Sequence, residues 1–256
     1  MCHSQNAGTA QRLIAHCAEM NIARSEAQTK IRTKDSVQID MRKHSSHKIY
    51  VLIACEESQT MCKAFRDRGC LAYSCDIQPC RKGGWPKWHI QGDATPLIQG
   101  RTTFHTTDGR FHRVPRWTLI IAHPPCTYLC KVSSVQMVHH GIVDKARLEK
   151  MYAARDFFFM CLNAKAKFVA VENPLPMRRA QLPPATCYVC PSQFGHKYTK
   201  KTLLWLKNLP PILPTIFYPN PKQFVRSSRG KYRARTFEGV ANACADQWLT
   251  YIKSHI

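Results

Sequence analysis

Ile120-Ile121-Ala122-His123-Pro124-Pro125-Cys126-Thr127-Tyr128-Leu129 is the stretch on which the rest of the chain turns. It closes an apolar run, Trp117 to Ala122, too short for an ordinary helix and β-branched enough for a buried strand. Two prolines then end the strand, because each fixes φ and neither can donate to a ladder. They deliver Cys126 at the carboxyl end of a strand, the edge where open α/β sheets hold ligands. Cys126 is therefore read as a nucleophile rather than as a thiol that fills core.

Upstream, Ile49 to Cys55 is a second apolar, β-branched run, which implies burial on both faces and hence a parallel sheet covered by helices. Ser58 is the expected N-cap of a helix from Gln59 to Arg68, with Gly69 as its stop. Leu71 to Cys75 makes the next strand and ends in Asp76. An acid at that tip suits the ribose hydroxyls of a nucleotide-like cofactor. Trp88 to Asp93 gives a third strand with a second terminal carboxylate, and Asp108-Gly109 marks a small hairpin.

Downstream, Lys131 to Gly141 reads as a lid and Asp144 to Ala164 as a long helix with an apolar stripe. Phe168 to Val171 is the fifth strand, with Glu172-Asn173-Pro174 at its end. A right-handed crossover sets neighbouring parallel strands about 5 Å apart, so Cys126 and Glu172 are expected to face one bound base. A thiolate could add to a pyrimidine ring while the acid engages a ring nitrogen.

Composition narrows the partner. Over 256 residues, 38 Lys and Arg stand against 16 Asp and Glu, a net charge of +22. Such an excess, interleaved with aromatics, points to a polyanion, nucleic acid first and an anionic membrane surface second. Hydrophobic residues make up 44%, ample for a packed core, so the chain is not expected to be disordered. No signal-peptide region or membrane-length apolar stretch is read, so the expected setting is the cytoplasm. Thirteen cysteines, an odd number, are read as reduced thiols. Cys187-Tyr188-Val189-Cys190 is a lone CxxC with His196 as a third candidate ligand and no fourth, so no metal is assigned. Residues 1–47 are read as an extension with a short amphipathic helix from Gln11 to Met20.

These residues resemble the cytosine-5 DNA methyltransferases, and more closely the short cytosine methyltransferase-like proteins common in phage genomes. The resemblance runs from about Ile49 to Trp248. Ala122-His123-Pro124-Pro125-Cys126 is similar to the catalytic Pro-Cys motif, and Glu172-Asn173 to the Glu-Asn motif that follows it. Asp76-Ile77 resembles the pair that contacts the ribose and adenine of S-adenosyl-L-methionine, and Gly92-Asp93 the motif whose acid binds the adenine amino group. Phe194 to Trp205 resembles the segment that brings a basic residue, here Lys200 or Lys201, to the flipped base and then enters the sheet. Gly239 to Trp248 resembles the closing helix.

The resemblance implies a Rossmann-like class I methyltransferase fold, α/β, with a mostly parallel doubly wound sheet and helices on both faces. It implies a catalytic domain over 48–206, a short basic target-recognition segment over 207–238 and a closing helix over 239–256. It also implies S-adenosyl-L-methionine as cofactor and DNA as partner, with RNA left open, and a monomer, in a host cytoplasm if phage-encoded. Cys126 would attack C6 of a flipped cytosine while Glu172 holds N3. Asn173 would orient the loop, Pro125 shape the pocket, and Ala54, Glu56, Ser58 and Pro124 line the cofactor. The first turn departs from the family: Ala54-Cys55-Glu56-Glu57-Ser58 holds no glycine. Arg226, Arg229, Lys231, Arg233 and Arg235 form a basic strip suited to phosphates. Two alternatives stay open: an amino-methyltransferase for adenine N6 or cytosine N4, and a non-catalytic nucleic-acid binder of the same fold.

Overall fold

Seven strands build the central sheet, in the order β3-β2-β1-β6-β9-β12-β10. Their ranges are β1 (Tyr50–Ala54), β2 (Leu71–Asp76), β3 (His89–Gln91), β6 (Leu119–Ala122), β9 (Phe168–Asn173), β10 (Cys187–Val189) and β12 (Thr202–Lys207). This computed structural model describes residues 48–139, 141–224 and 235–256. The Gln11–Met20 helix and the strip residues Arg226, Arg229, Lys231 and Arg233 lie outside them.

The result is a mixed α/β fold built on one largely parallel seven-stranded sheet. Strands β3, β2, β1, β6 and β9 are parallel, and the chain reverses its direction of winding between β1 and β6. That reversal opens a crevice at the carboxyl edge, the place where such sheets take ligands. β12 then inserts antiparallel between β9 and β10.

The buried strands alternate faces as a pleat requires. Val51, Ile53, Leu119, Ile121, Phe168 and Ala170 enter one core, against α1 (Thr60–Arg66) and α4 (Glu238–Lys253). Leu52, Ala54, Ile120, Ala122, Val169 and Val171 enter the other, against α2 (Thr95–Ile98) and α3 (Lys145–Leu162). Large side chains such as Phe65, Phe158 and Trp248 are almost wholly enclosed, each worth about 1.5–3 kcal/mol of transfer free energy. The indole N–H groups of Trp117, Trp205 and Trp248 donate to the carbonyls of Arg101, Pro183 and Pro210, so these rings bury no idle donor. The small sheet expected at Asp108-Gly109 is present as β4 (Thr103–His105) and β5 (Phe111–Arg113).

Two local expectations give way to tertiary contacts. Ser58 does not cap α1: the cap position is Gln59, in a left-handed conformation with φ of 57°, and its side chain makes no capping bond. The Glu56 carboxylate does that work, accepting from the amides of Met61 at 2.6 Å and Cys62 at 3.1 Å. The stretch read as a lid holds a 3-10 turn over residues 131–136, followed by the small pair β7 (Val138–His139) and β8 (Ile142–Val143). Glu172 and Asn173 lie inside β9 rather than beyond it, because β12 pairs with β9 past the point where β6 ends.

The chain closes through a tight contact. A Cβ on Gly239 would fall 2.0 Å from the Phe194 carbonyl oxygen, so only glycine fits there. The Gly239 amide donates to His196 Nε2 at 2.8 Å, and α4 is tied back to α1 by a two-pronged Arg68–Asp246 pair. Lys222–Gln223, from the expected recognition segment, forms β13 beside β11 (Tyr198–Thr199). Among the described residues, no helix is long and apolar enough to cross a membrane.

Candidate active site

β6 and β9 pair with Ala122 opposite Val171, so the next residues outward, His123 and Glu172, come side by side. His123 Nδ1 lies 3.1 Å from Glu172 Oε2, with side chains only 11% and 20% exposed. Burial alone would lower the His123 pKa, but the Glu172 bond and the nearby Glu56 charge outweigh burial and the opposing Lys200 charge, and the pKa ends up raised. The ring's other nitrogen, Nε2, is buried without a partner. His123, Glu172, Lys200, Thr202 and Arg235 line a narrow cavity of about 30 Å³.

Cys126 stands three residues further along, half-buried. A single turn carries it, with the amides of Leu129 and Cys130 both donating to its carbonyl at 3.0 Å. The neighbouring Cys130 thiol, then burial, then the Glu172 charge hold the Cys126 pKa up, while Lys200 pulls the other way. Cys130 is shifted down by the neighbouring Cys126 thiol, with help from the Ser133 hydroxyl and the backbone around Val132 and Ser133 against the opposing effect of burial. Cys126 and Glu172 are thus within electrostatic reach, with His123 as the closer neighbour of the acid.

The two loops are joined directly. Asn173, wholly buried, donates Nδ2 to the Pro124 carbonyl at 3.2 Å. Lys131 N–H donates to Leu175 O at 2.8 Å and Met177 N–H to Leu129 O at 2.7 Å. Pro125 is exposed at the turn and Pro124 buried beneath it.

On the other side of the crevice, Cys55 ends β1 with φ of 60°, and its thiol lies within electrostatic range of Asp76 and Asp93. Asp76 accepts from the Gln78 amide and Asp93 from the Thr95 amide, each through one oxygen at 2.9 Å. The second oxygen of each remains to accept from a diol or an amine, which is the chemistry an adenosine end offers. Ile77 is 70% exposed beside them and Ala54 is fully buried.

Several expected residues sit elsewhere. Glu56 is 5% exposed and both its oxygens are taken by α1; burial raises its pKa against the pull of His123 and the two amides. The Ser58 hydroxyl is within hydrogen-bond reach of Glu56 and Thr60. Lys200 and Arg235 reach the cavity under Glu172, whereas Lys201 lies over the Tyr188 ring at 4.2 Å. The possible zinc set is not assembled: Cys190 Sγ meets Ser192 Oγ, His196 Nε2 is used by Gly239, and no group of three metal-ligating side chains occurs among the described residues. The described cysteines are all free thiols. His123 is the site residue that sequence reasoning missed. Its signal was register: it follows its strand by the same one-residue offset that places Glu172 after Val171.

No family model matches the chain, and no curated protein matches it. Among solved structures it is similar to a protein described provisionally as a DNA modification methyltransferase encoded within a prophage of Escherichia coli. Identity is 13% and the TM-score 0.41, over 67% of this chain and 52% of the other, so this chain spans about half of that protein's length. A likeness at that level carries no argument about activity, and the fold rests on the sheet order itself.

Proposed function

We propose that the chain is an S-adenosyl-L-methionine-dependent DNA cytosine-5 methyltransferase that acts on a flipped cytosine through Cys126. The observation that carries this reading is that Cys126 and Glu172 stand on two loops bonded to each other through Asn173 and Pro124, with Glu172 and the Lys200 of a third segment within electrostatic range of the thiol. A target base swung out of its stack would meet Cys126 from one face and Glu172 at its edge. As the Sγ–C6 bond forms, N3 would take up a proton from solvent beside the Glu172 carboxylate, whose charge favours the protonated ring, so that electron density gathers at C5. The Cys126 proton would pass to solvent, and Lys200 favours the resulting thiolate against burial and the Cys130 and Glu172 charges. S-adenosyl-L-methionine, when bound, supplies an electrophilic methyl group. The C5 proton would then pass to a solvent base as the Sγ–C6 bond breaks, the sulfur leaving as thiolate and N3 returning its proton to solvent.

Asp76 and Asp93 suit the adenosine end of that cofactor, with Ile77, Ala54 and Pro124 forming the rest of the edge and Ser58 beside it. Glu56 is left out of the set because the helix already uses both of its oxygens. Lys200 and Arg235 would meet the base or its phosphate, and Lys201 with Arg226, Arg229, Lys231 and Arg233 the backbone phosphates. Incubation with duplex DNA containing 5-fluorocytosine and the cofactor tests this. A covalent protein–DNA adduct that disappears in Cys126→Ser is expected. Methyl transfer that survives Cys126→Ala would instead place the chain among the amino-methyltransferases. No detectable cofactor binding by calorimetry would leave the non-catalytic binder.

A further inference from the structure

The proposed chemistry uses Glu172 but leaves unexplained the buried histidine that holds it. A carboxylate on a glutamate is free to swivel, because its terminal torsion is broad and roughly two-fold. Catalysis by such a group depends on one oxygen pointing at the reacting ring when the base arrives. We infer that His123 is a positioning residue: it clamps Oε2 of Glu172 and so aims the other oxygen at the ring nitrogen of the bound base. This rests on the function proposed above and deepens it.

Four observations support the assignment. The parallel register sets His123 and Glu172 beside each other at the ends of β6 and β9. His123 is held at both of its backbone flanks: its amide donates to Ala54 O at 2.9 Å, and Pro124 restricts its own torsions. The imidazole uses Nδ1 on Glu172 at 3.1 Å, and Nε2 has no partner, so the acid is what the ring engages. The surrounding charges are mixed, Glu56 from the turn before α1 and Lys200 from the segment before β12, and the imidazolium is favoured among them. A protonated ring donates a charge-assisted bond, roughly twice as strong as a neutral one.

Three substitutions separate aiming from mere packing. His123→Leu fills the space and removes the donor. His123→Asn puts an amide nitrogen close to where Nδ1 stands, and His123→Gln can place one only near Nε2. Rates of methyl transfer to duplex DNA, with KM for the cofactor and a thermal midpoint for each variant, give the readout. The leucine variant is expected to lose about 10- to 100-fold in kcat with cofactor KM unchanged. Asparagine should recover most of that loss and glutamine little of it. If leucine unfolds the loop, the asparagine–glutamine contrast carries the test alone. A wild-type kcat in the leucine variant, or asparagine no faster than glutamine, overturns the inference while the proposed function stands. A wild-type protein that transfers no methyl group overturns both, so the two failures are told apart by the wild-type rate.

Discussion

At the tips of β2 and β3 the acids Asp76 and Asp93 stand partly or fully open to solvent, each bonded through one oxygen to its own turn. At the tips of β6 and β9 the polar groups are buried and braced across two loops: His123 to Glu172, Asn173 to Pro124, Lys131 to Leu175. The open half is arranged to accept something that comes and goes, since its acceptors are already oriented and still have capacity. The braced half is arranged to hold reacting groups still. It also keeps two buried atoms without hydrogen-bond partners, His123 Nε2 and Asn173 Oδ1. Such atoms are uncommon in a packed interior.

The braced half should fail abruptly. Cys126→Ala is expected to lower methyl transfer to DNA by about 10³-fold or more, the scale on which loss of a covalent nucleophile is felt. Transfer of labelled methyl groups measures it, and a rate near wild type would end the assignment of Cys126. Glu172→Gln keeps the shape and removes the charge that favours a protonated N3, with an expected loss of about 10²-fold. An unaltered rate would mean that the acid serves the loop alone.

The open half should fail gradually. Asp76→Asn and Asp93→Asn each keep an acceptor but lose its charge, so cofactor dissociation constants should rise by about 10-fold, with thermal midpoints close to wild type. Calorimetry checks this, and equal affinities would move the cofactor away from these tips. If these variants instead unfolded the protein, the contrast between the halves would be mistaken.

Glu56 lies between them and gives the smallest effect. Its folded pKa is raised above the ordinary 4.5. From pH 4.5 upward to the raised value, the folded state keeps a proton that the unfolded chain has released, so stability falls as pH rises across that interval. Glu56→Gln cannot ionise and should lack this fall. The two proteins should agree at pH 4 and diverge above it in urea titrations. Parallel curves would show that the carboxylate is held without penalty by the α1 amides and His123.

Much of this was legible in the chain. Runs such as Tyr50–Ala54 and Phe168–Val171 are apolar at every position, and only a strand covered on both faces tolerates that. Asp76, Asp93, Cys126 and Glu172 each follow such a run, so their arrival at one edge was readable. The cap on α1 was not. Ser58 has the local signature, yet Glu56 reaches the helix from upstream because the turn after β1 folds its carboxylate inward. Cys187-Tyr188-Val189-Cys190 has the spacing of metal ligands and becomes β10 at the sheet edge instead, paired with Leu203 and its neighbours.

What the amino-acid order determined by itself is the set of buried strands and the residues at their ends, because hydrophobic period and proline placement act over a few neighbouring positions. What only the tertiary structure decided is which ends face each other. That is a matter of register, and register is settled by strands far apart in the chain: β12 lengthens β9 past β6, and the offset of β6 on β9 puts His123, rather than Cys126, against Glu172. A one-residue slip would have turned that acid to the opposite face.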